Sequence, residues 1–121
     1  MQNMEILVRF DGQTVFDEET NTRYPINGNY ASKSKLIPGD ILLLRIDENG
    51  LQFKLQEPAP RKTAIAEIVI SDKKICAEFD GFVFDISTSV LSFFKLKEGD
   101  RAIIIYNPFL RTFCSVEGRI D

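Results

Sequence analysis

The sequence predicts a mainly β protein, a small β-barrel built from two interleaved, pseudo-two-fold copies of one unit with one short helix per copy. Three observations lead there. The stretch Leu36-Ile37-Pro38-Gly39-Asp40 returns 60 residues later as Leu96-Lys97-Glu98-Gly99-Asp100. Sliding the chain by 60 without a gap also pairs Ile26 with Ile86, Ser32 with Ser92, Lys35-Leu36 with Lys95-Leu96 and Phe53 with Phe113. It keeps apolar class at Val8/Ile68, Phe10/Ile70, Val15/Ile75, Tyr24/Phe84, Leu42/Ala102, Leu43/Ile103 and Leu44/Ile104. Finally, the apolar residues come in short runs separated by Gly, Asp, Asn and Pro signals, which is strand punctuation.

A half of about 55 to 60 residues is marginal for burying one sheet face. Residues 1–121 are therefore expected to form a single domain around one shared core, with repeats at 4–56 and 64–116 and a Pro-containing linker at 57–63. Pro58 and Pro60 stiffen that junction, which is too short for a flexible tether.

In chain order, residues 4–10 read as a strand with Ile6, Val8 and Phe10 on one face. Asp11-Gly12 signals a hairpin into a short strand at 14–17, and Thr22 begins a third that Pro25 confines to an edge. Residues 30–36 allow about two helical turns, with Asn29 as the expected cap. Gly39 must turn the chain sharply at positive φ, and Asp40 is expected to tie a neighbouring loop through backbone N–H groups. Residues 41–46 form the most apolar strand of the first half, and Asp47-Glu48-Asn49-Gly50 returns it into 51–55. The second half repeats the order with strands at 64–70, 75–79 and 82–86. A helix follows at 90–96, capped from Ser87-Thr88-Ser89, and then strands at 101–106 and 111–116. The last five residues are expected to fray. Phe93 and Phe94 are expected to be buried, and an exposed Phe there would mark a docking patch.

These units resemble the small β-barrels whose halves carry a "GD box", namely the double-psi and RIFT barrels and the swapped-hairpin barrels of AbrB and MazE type. The residues that carry the resemblance run from Ser32 to Ile41 and from Ser92 to Arg101. It implies two copies interleaved into one closed barrel, although the extra strands at 14–17 and 75–79 depart from the pattern. In the AbrB-like members the hairpins after residues 10 and 70 would approach DNA. The full chain also looks like uncharacterised proteins of reduced-genome candidate bacteria, through its Asn-Tyr-Ala-Ser-Lys-Ser-Lys-Leu stretch before the first Gly-Asp turn.

Chemistry is sparsely signalled. The chain contains no histidine, so imidazole-based triads and bases are excluded. The seven glycines are scattered singly, and none makes a phosphate-cradling loop. Cys76 and Cys114 lack metal-ligand spacing and read as buried thiols in a reducing cytoplasm, with a disulfide between them as the alternative. No cofactor and no metal are expected. The opening residues lack a signal-peptide pattern, and no run is long enough to cross a bilayer.

Gly39, Asp40, Gly99 and Asp100 are accordingly read as structural turns. The expected function is a non-enzymatic interaction or structural module that binds another protein, with Phe93, Phe109 and Leu110 as candidate docking residues. Nucleic-acid binding is the alternative, with Arg9, Lys33, Lys35, Lys73 and Lys74 as its candidate face. The net charge of −3 and the absence of a basic stripe do not favour it. A carboxylate-dependent hydrolase using Asp40 and Asp100 is the remaining alternative. A monomer and a homodimer both fit.

Overall fold

The structure is a computed structural model describing residues 4–121. The opening residues on which the signal-peptide reading rests lie mostly outside that range. Ten strands and two helices follow one another as β1 (Met4–Phe10), β2 (Thr14–Asp17), β3 (Thr22–Pro25), α1 (Gly28–Lys33), β4 (Ile41–Asp47), β5 (Gly50–Glu57), β6 (Lys62–Ser71), β7 (Lys74–Phe79), β8 (Phe82–Asp85), α2 (Thr88–Phe93), β9 (Arg101–Asn107) and β10 (Leu110–Ile120). The protein is mainly β, as its composition and punctuation predict.

The strands form two sheets. The first is an open five-stranded sheet of order β3-β2-β1-β4-β5, and the second is a closed barrel of order β10-β8-β7-β6-β9. Each sheet is drawn from one half of the chain, so the expected interleaving is corrected: no described ladder joins a strand of one half to a strand of the other. The reason is local. Consecutive strands find their partners across short turns, and each half presents one apolar face to its own helix.

The shared core is corrected in the same way. One buried cluster contains Ile68, Ala77, Phe84, Val90, Ile104 and Val116 from the second half. Another contains Val8, Phe10, Val15, Leu36, Leu42 and Leu44 from the first half, completed by Phe113 from β10. A small third cluster, Ile37, Ala59 and Ile105, draws its residues from both halves and the junction between them. Leu43 and Ile103 take no part, since they alternate to the outer face; Ile103 is 36% exposed.

The two sheets differ in how the last strand runs. β5 follows β4 in step from Asp47↔Gly50 to Leu42↔Leu55. On β10 the chain moves from Leu110 to Cys114 while β9 moves only from Asn107 to Tyr106. Such a bulge bends its strand and increases the twist. The bend brings Phe113 beside Asp85 of β8, a parallel pairing that closes the barrel. The expected Phe53/Phe113 equivalence therefore fails, because Val116, not Phe113, takes the place across from Ile104 that Phe53 takes across from Leu44.

The ungapped offset of 60 holds for both helices and for β4 against β9. It slips at the start of each half. Gly39 N–H donates to Phe10 O at 2.9 Å, whereas Gly99 N–H donates to Ile68 O at 2.8 Å. Phe10 thus stands where Ile68 stands, and the Val8/Ile68 and Phe10/Ile70 pairings are displaced by two residues. A slip of two preserves which face is inward, but it carries Ile70 past the corner, where it is 55% exposed.

Element ends also shift. Asn27, not Asn29, caps α1, its Oδ1 accepting from Asn29 N at 2.8 Å and Tyr30 N at 3.2 Å. Ser87 caps α2. The tail expected to fray is strand, with Gly118, Arg119 and Ile120 paired to Ile103, Ala102 and Arg101. Among the described residues, no helix is long and apolar enough to cross a membrane.

Candidate functional site

The helices α1 and α2, one from each half, lie side by side, and the groove between them encloses about 540 Å³. Both end in the same way. Leu36 N–H reaches back to Ala31 O at 3.0 Å, and Leu96 N–H to Leu91 O at 2.9 Å. These six-to-one bonds place Lys35 and Lys95, each at φ 54, in the left-handed position usually held by glycine.

Small polar residues spaced three apart, Asn29 with Ser32 and Ser89 with Ser92, line the groove. Their size lets the helices approach, so that Ser32 Oγ and Ser89 Oγ sit 2.8 Å apart. Phe93 and Phe94 make one wall, stacked edge to face at 4.8 Å. Phe93 is 75% exposed, which corrects the expected burial of that residue; Phe94 is half-buried. The reason is helical phase: Val90 points into the barrel core, and Phe93 lies beyond the helix edge that faces it.

Lys33 and Lys35 complete the lining. The Lys35 ammonium donates to Val116 O at 2.9 Å and lies 5.3 Å from the Phe94 ring centre, so it is held in place without a carboxylate. Among the described residues, neither lysine forms an ion pair, and no Asp or Glu lines the groove.

The other candidate basic residues lie elsewhere. Arg9 pairs with Glu18 at 2.7 Å, in a cleft shared with Glu5, Asp17 and Glu19. Lys73 lies in the β6–β7 turn and Lys74 opens β7. Next to Arg9, the Asp11 carboxyl is held below its usual value. Burial raises it, but hydrogen bonds from Thr14, Gln13 and Arg23 outweigh that. That carboxylate is also paired with Arg23, so the first hairpin tip carries no excess of positive charge to offer a phosphate backbone.

The two Gly-Asp corners are not equivalent. Asp40 is fully buried. Its Oδ2 accepts from Ile37 N at 2.9 Å, its Oδ1 from Ala59 N at 2.7 Å, and Arg61 pairs with the same carboxylate. It therefore ties the junction between the halves. Asp100 accepts only from Lys97 N within its own turn, at 3.0 Å.

Gly39 packs against the second half. A Cβ there would lie 2.9 Å from Asn107 Nδ2 and 3.2 Å from Ala59 Cβ, whereas one on Gly99 would meet nothing within 4 Å. Asn107 Nδ2 donates to Pro38 O at 2.9 Å, and Ser115 Oγ to Leu36 O at 2.6 Å. Beside this contact, Phe109 of the β9–β10 turn and Leu110 at the start of β10 are 80% and 45% exposed.

Cys76 and Cys114 are free and buried. Burial pushes both thiols up, with the Asp85 charge adding to it at Cys76 and the Cys76 thiol adding to it at Cys114. Among the described residues, no three metal-binding side chains gather.

Sequence reasoning named Lys33, Lys35 and Phe93 but assigned them to two different surfaces. It missed Asn29, Ser32, Ser89 and Ser92. The signal for them is the pair of small polar residues three apart on both helices, which marks faces able to come close. No family model matches the chain, and no curated protein or solved structure is significantly similar to it.

Proposed function

We propose that the chain is a duplicated, non-enzymatic interaction module that docks another protein in the groove between its two helices, and that its corners belong with the GD-box barrels they resemble. Duplication is supported by the matching strand orders, by helices and central strands at a common offset of 60, and by the paired corner bonds of Gly39 and Gly99. A non-catalytic role for the corner carboxylates fits Asp40, whose oxygens are occupied by backbone N–H groups and Arg61. The free, buried thiols fit a reducing, cytoplasmic setting.

The observation that carries the docking reading is Phe93, 75% exposed at the edge of a groove of about 540 Å³. Burying such a ring under a partner is worth about 2 kcal/mol. The groove is also within the size range of built recognition sites.

Capture from native lysate tests it, with wild type and Phe93→Ser compared with and without nuclease. A docking module retains its protein partner after nuclease and loses it with Phe93→Ser. A partner released by nuclease would instead support the nucleic-acid reading, in which Phe93 is a stacking platform beside Lys33 and Lys35.

A further inference from the structure

We infer that the occupant of the inter-helix groove is an acidic peptide segment bearing an aromatic or branched aliphatic anchor. This rests on the docking reading above and specifies its partner. Charge complementarity favours this occupant. The chain has 18 acidic and 15 basic residues, and none of the six described ion pairs involves the groove. Two lysines nonetheless line this groove, with no carboxylate and no ion-paired residue among the lining residues.

The two cations are presented differently. Lys35 is half-buried and directed by Val116 O and the Phe94 ring. It offers a pre-positioned ammonium with donors to spare, since a lysine carries three. Lys33 is exposed on the last turn of α1, free to follow a second carboxylate. Phe93 then supplies the apolar contact at one end of the groove, and the hydroxyls of Ser32, Ser89 and Ser92 supply polar contacts along it.

An acidic peptide is favoured over a nucleic acid because, of the five candidate basic residues, only Lys33 and Lys35 share this groove. Arg9 is neutralised by Glu18 in a cleft of its own, and Lys73 and Lys74 lie on a separate hairpin. A phosphate backbone with evenly spaced charges is better matched by an extended basic track.

Fluorescence anisotropy on the full chain tests this with three labelled probes. One is a short peptide alternating Glu with Phe and Leu, the second has Gln in place of every Glu, and the third is a single-stranded oligonucleotide. The acidic peptide is expected to bind about tenfold more tightly than its Gln counterpart at low salt, and the margin should shrink as salt screens the lysines. Lys33→Gln, at an exposed position, should weaken it about fivefold, the scale of one exposed ion pair. Phe93→Ser should weaken it about thirtyfold, the loss typical of an anchor. Lys35→Gln is interpreted only with an unchanged melting curve, since that side chain also joins the two halves.

Equal affinity for the two peptides, binding of none of the probes, or preference for the oligonucleotide overturns the inference. If peptide binding fails while lysate capture still depends on Phe93, the acidic occupant is wrong and the docking module stands. If capture also ignores Phe93, both are wrong.

Discussion

The first half of the molecule is an open sheet and the second a closed barrel, although their strands follow the same order. The difference comes from a few residues in the last strand. β5 stays in step with β4 from Gly50 to Leu55 and shifts register only at its end, whereas β10 bulges after Leu110, bends, and meets β8 at Asp85. The open sheet ends in two edges, and at one of them Tyr30 of α1 lays its ring 6.1 Å from Phe53 and donates its hydroxyl to Phe53 O at 3.1 Å. The bulge has a second consequence. Phe113 turns away from its own barrel and packs edge to face on Phe10 at 5.8 Å, completing the first core. Closure of one half thus supplies a core residue to the other.

The two halves should differ most at their Gly-Asp corners. Asp40→Ala should destabilise the chain by about 4 kcal/mol, because it removes a buried carboxylate from two backbone donors and an arginine. Asp100→Ala should lose under about 1 kcal/mol, the scale of a solvated turn bond. Urea unfolding of the two variants side by side checks this, and equal midpoints would remove Asp40 as the tie between halves.

The bulge is tested next. Phe113→Ala should lose about 3 kcal/mol and raise hydrogen exchange in β1 and β4 as well as in β10. Phe53→Ala, at a half-buried edge position, should lose about half as much and leave β9 and β10 protected. Exchange changes confined to the second half in Phe113→Ala would contradict its place in the first core.

The glycines sharpen the contrast. Both have positive φ, +97 at Gly39 and +91 at Gly99, so alanine is strained at either by about 1 kcal/mol. Only at Gly39 does the new Cβ meet Asn107 and Ala59, which should raise the loss to about 2 to 3 kcal/mol. Melting curves for the two alanine variants measure the difference.

The smallest effect is a gain. Lys95→Gly relieves a left-handed backbone and should stabilise by about 0.5 to 1 kcal/mol. Lys35→Gly relieves the same strain but loses the bond to Val116 O, and its net change should lie near zero. A gain of equal size at both sites would show that the Lys35 ammonium contributes nothing between the halves.

Much of the strand plan was legible in the residues. Hairpin signals such as Asp11-Gly12 and Asp80-Gly81, and the alternation in residues 51–55, need only local backbone preferences to act. The two helices were legible in position but not in phase. Asn27 and Asn29 are equally good caps on paper, and which one serves depends on where the preceding strand releases the chain. The groove was legible in fragments. Lys33, Lys35 and Phe93 stood out one at a time, but the approach of α1 to α2 that gathers them is a contact between residues nearly half the chain apart.

The strands, their turns, the two short helices and the Gly-Asp corners follow from residue preferences felt over a few positions. Tertiary structure alone decided that the halves do not interleave, that only one sheet closes, and that Asp40 is buried while Asp100 is not. Those outcomes turn on long-range register. A bulge on one strand, a slip of two residues in one hairpin and a junction folded back onto one corner change which side chains meet, and they leave the local pattern almost unaltered.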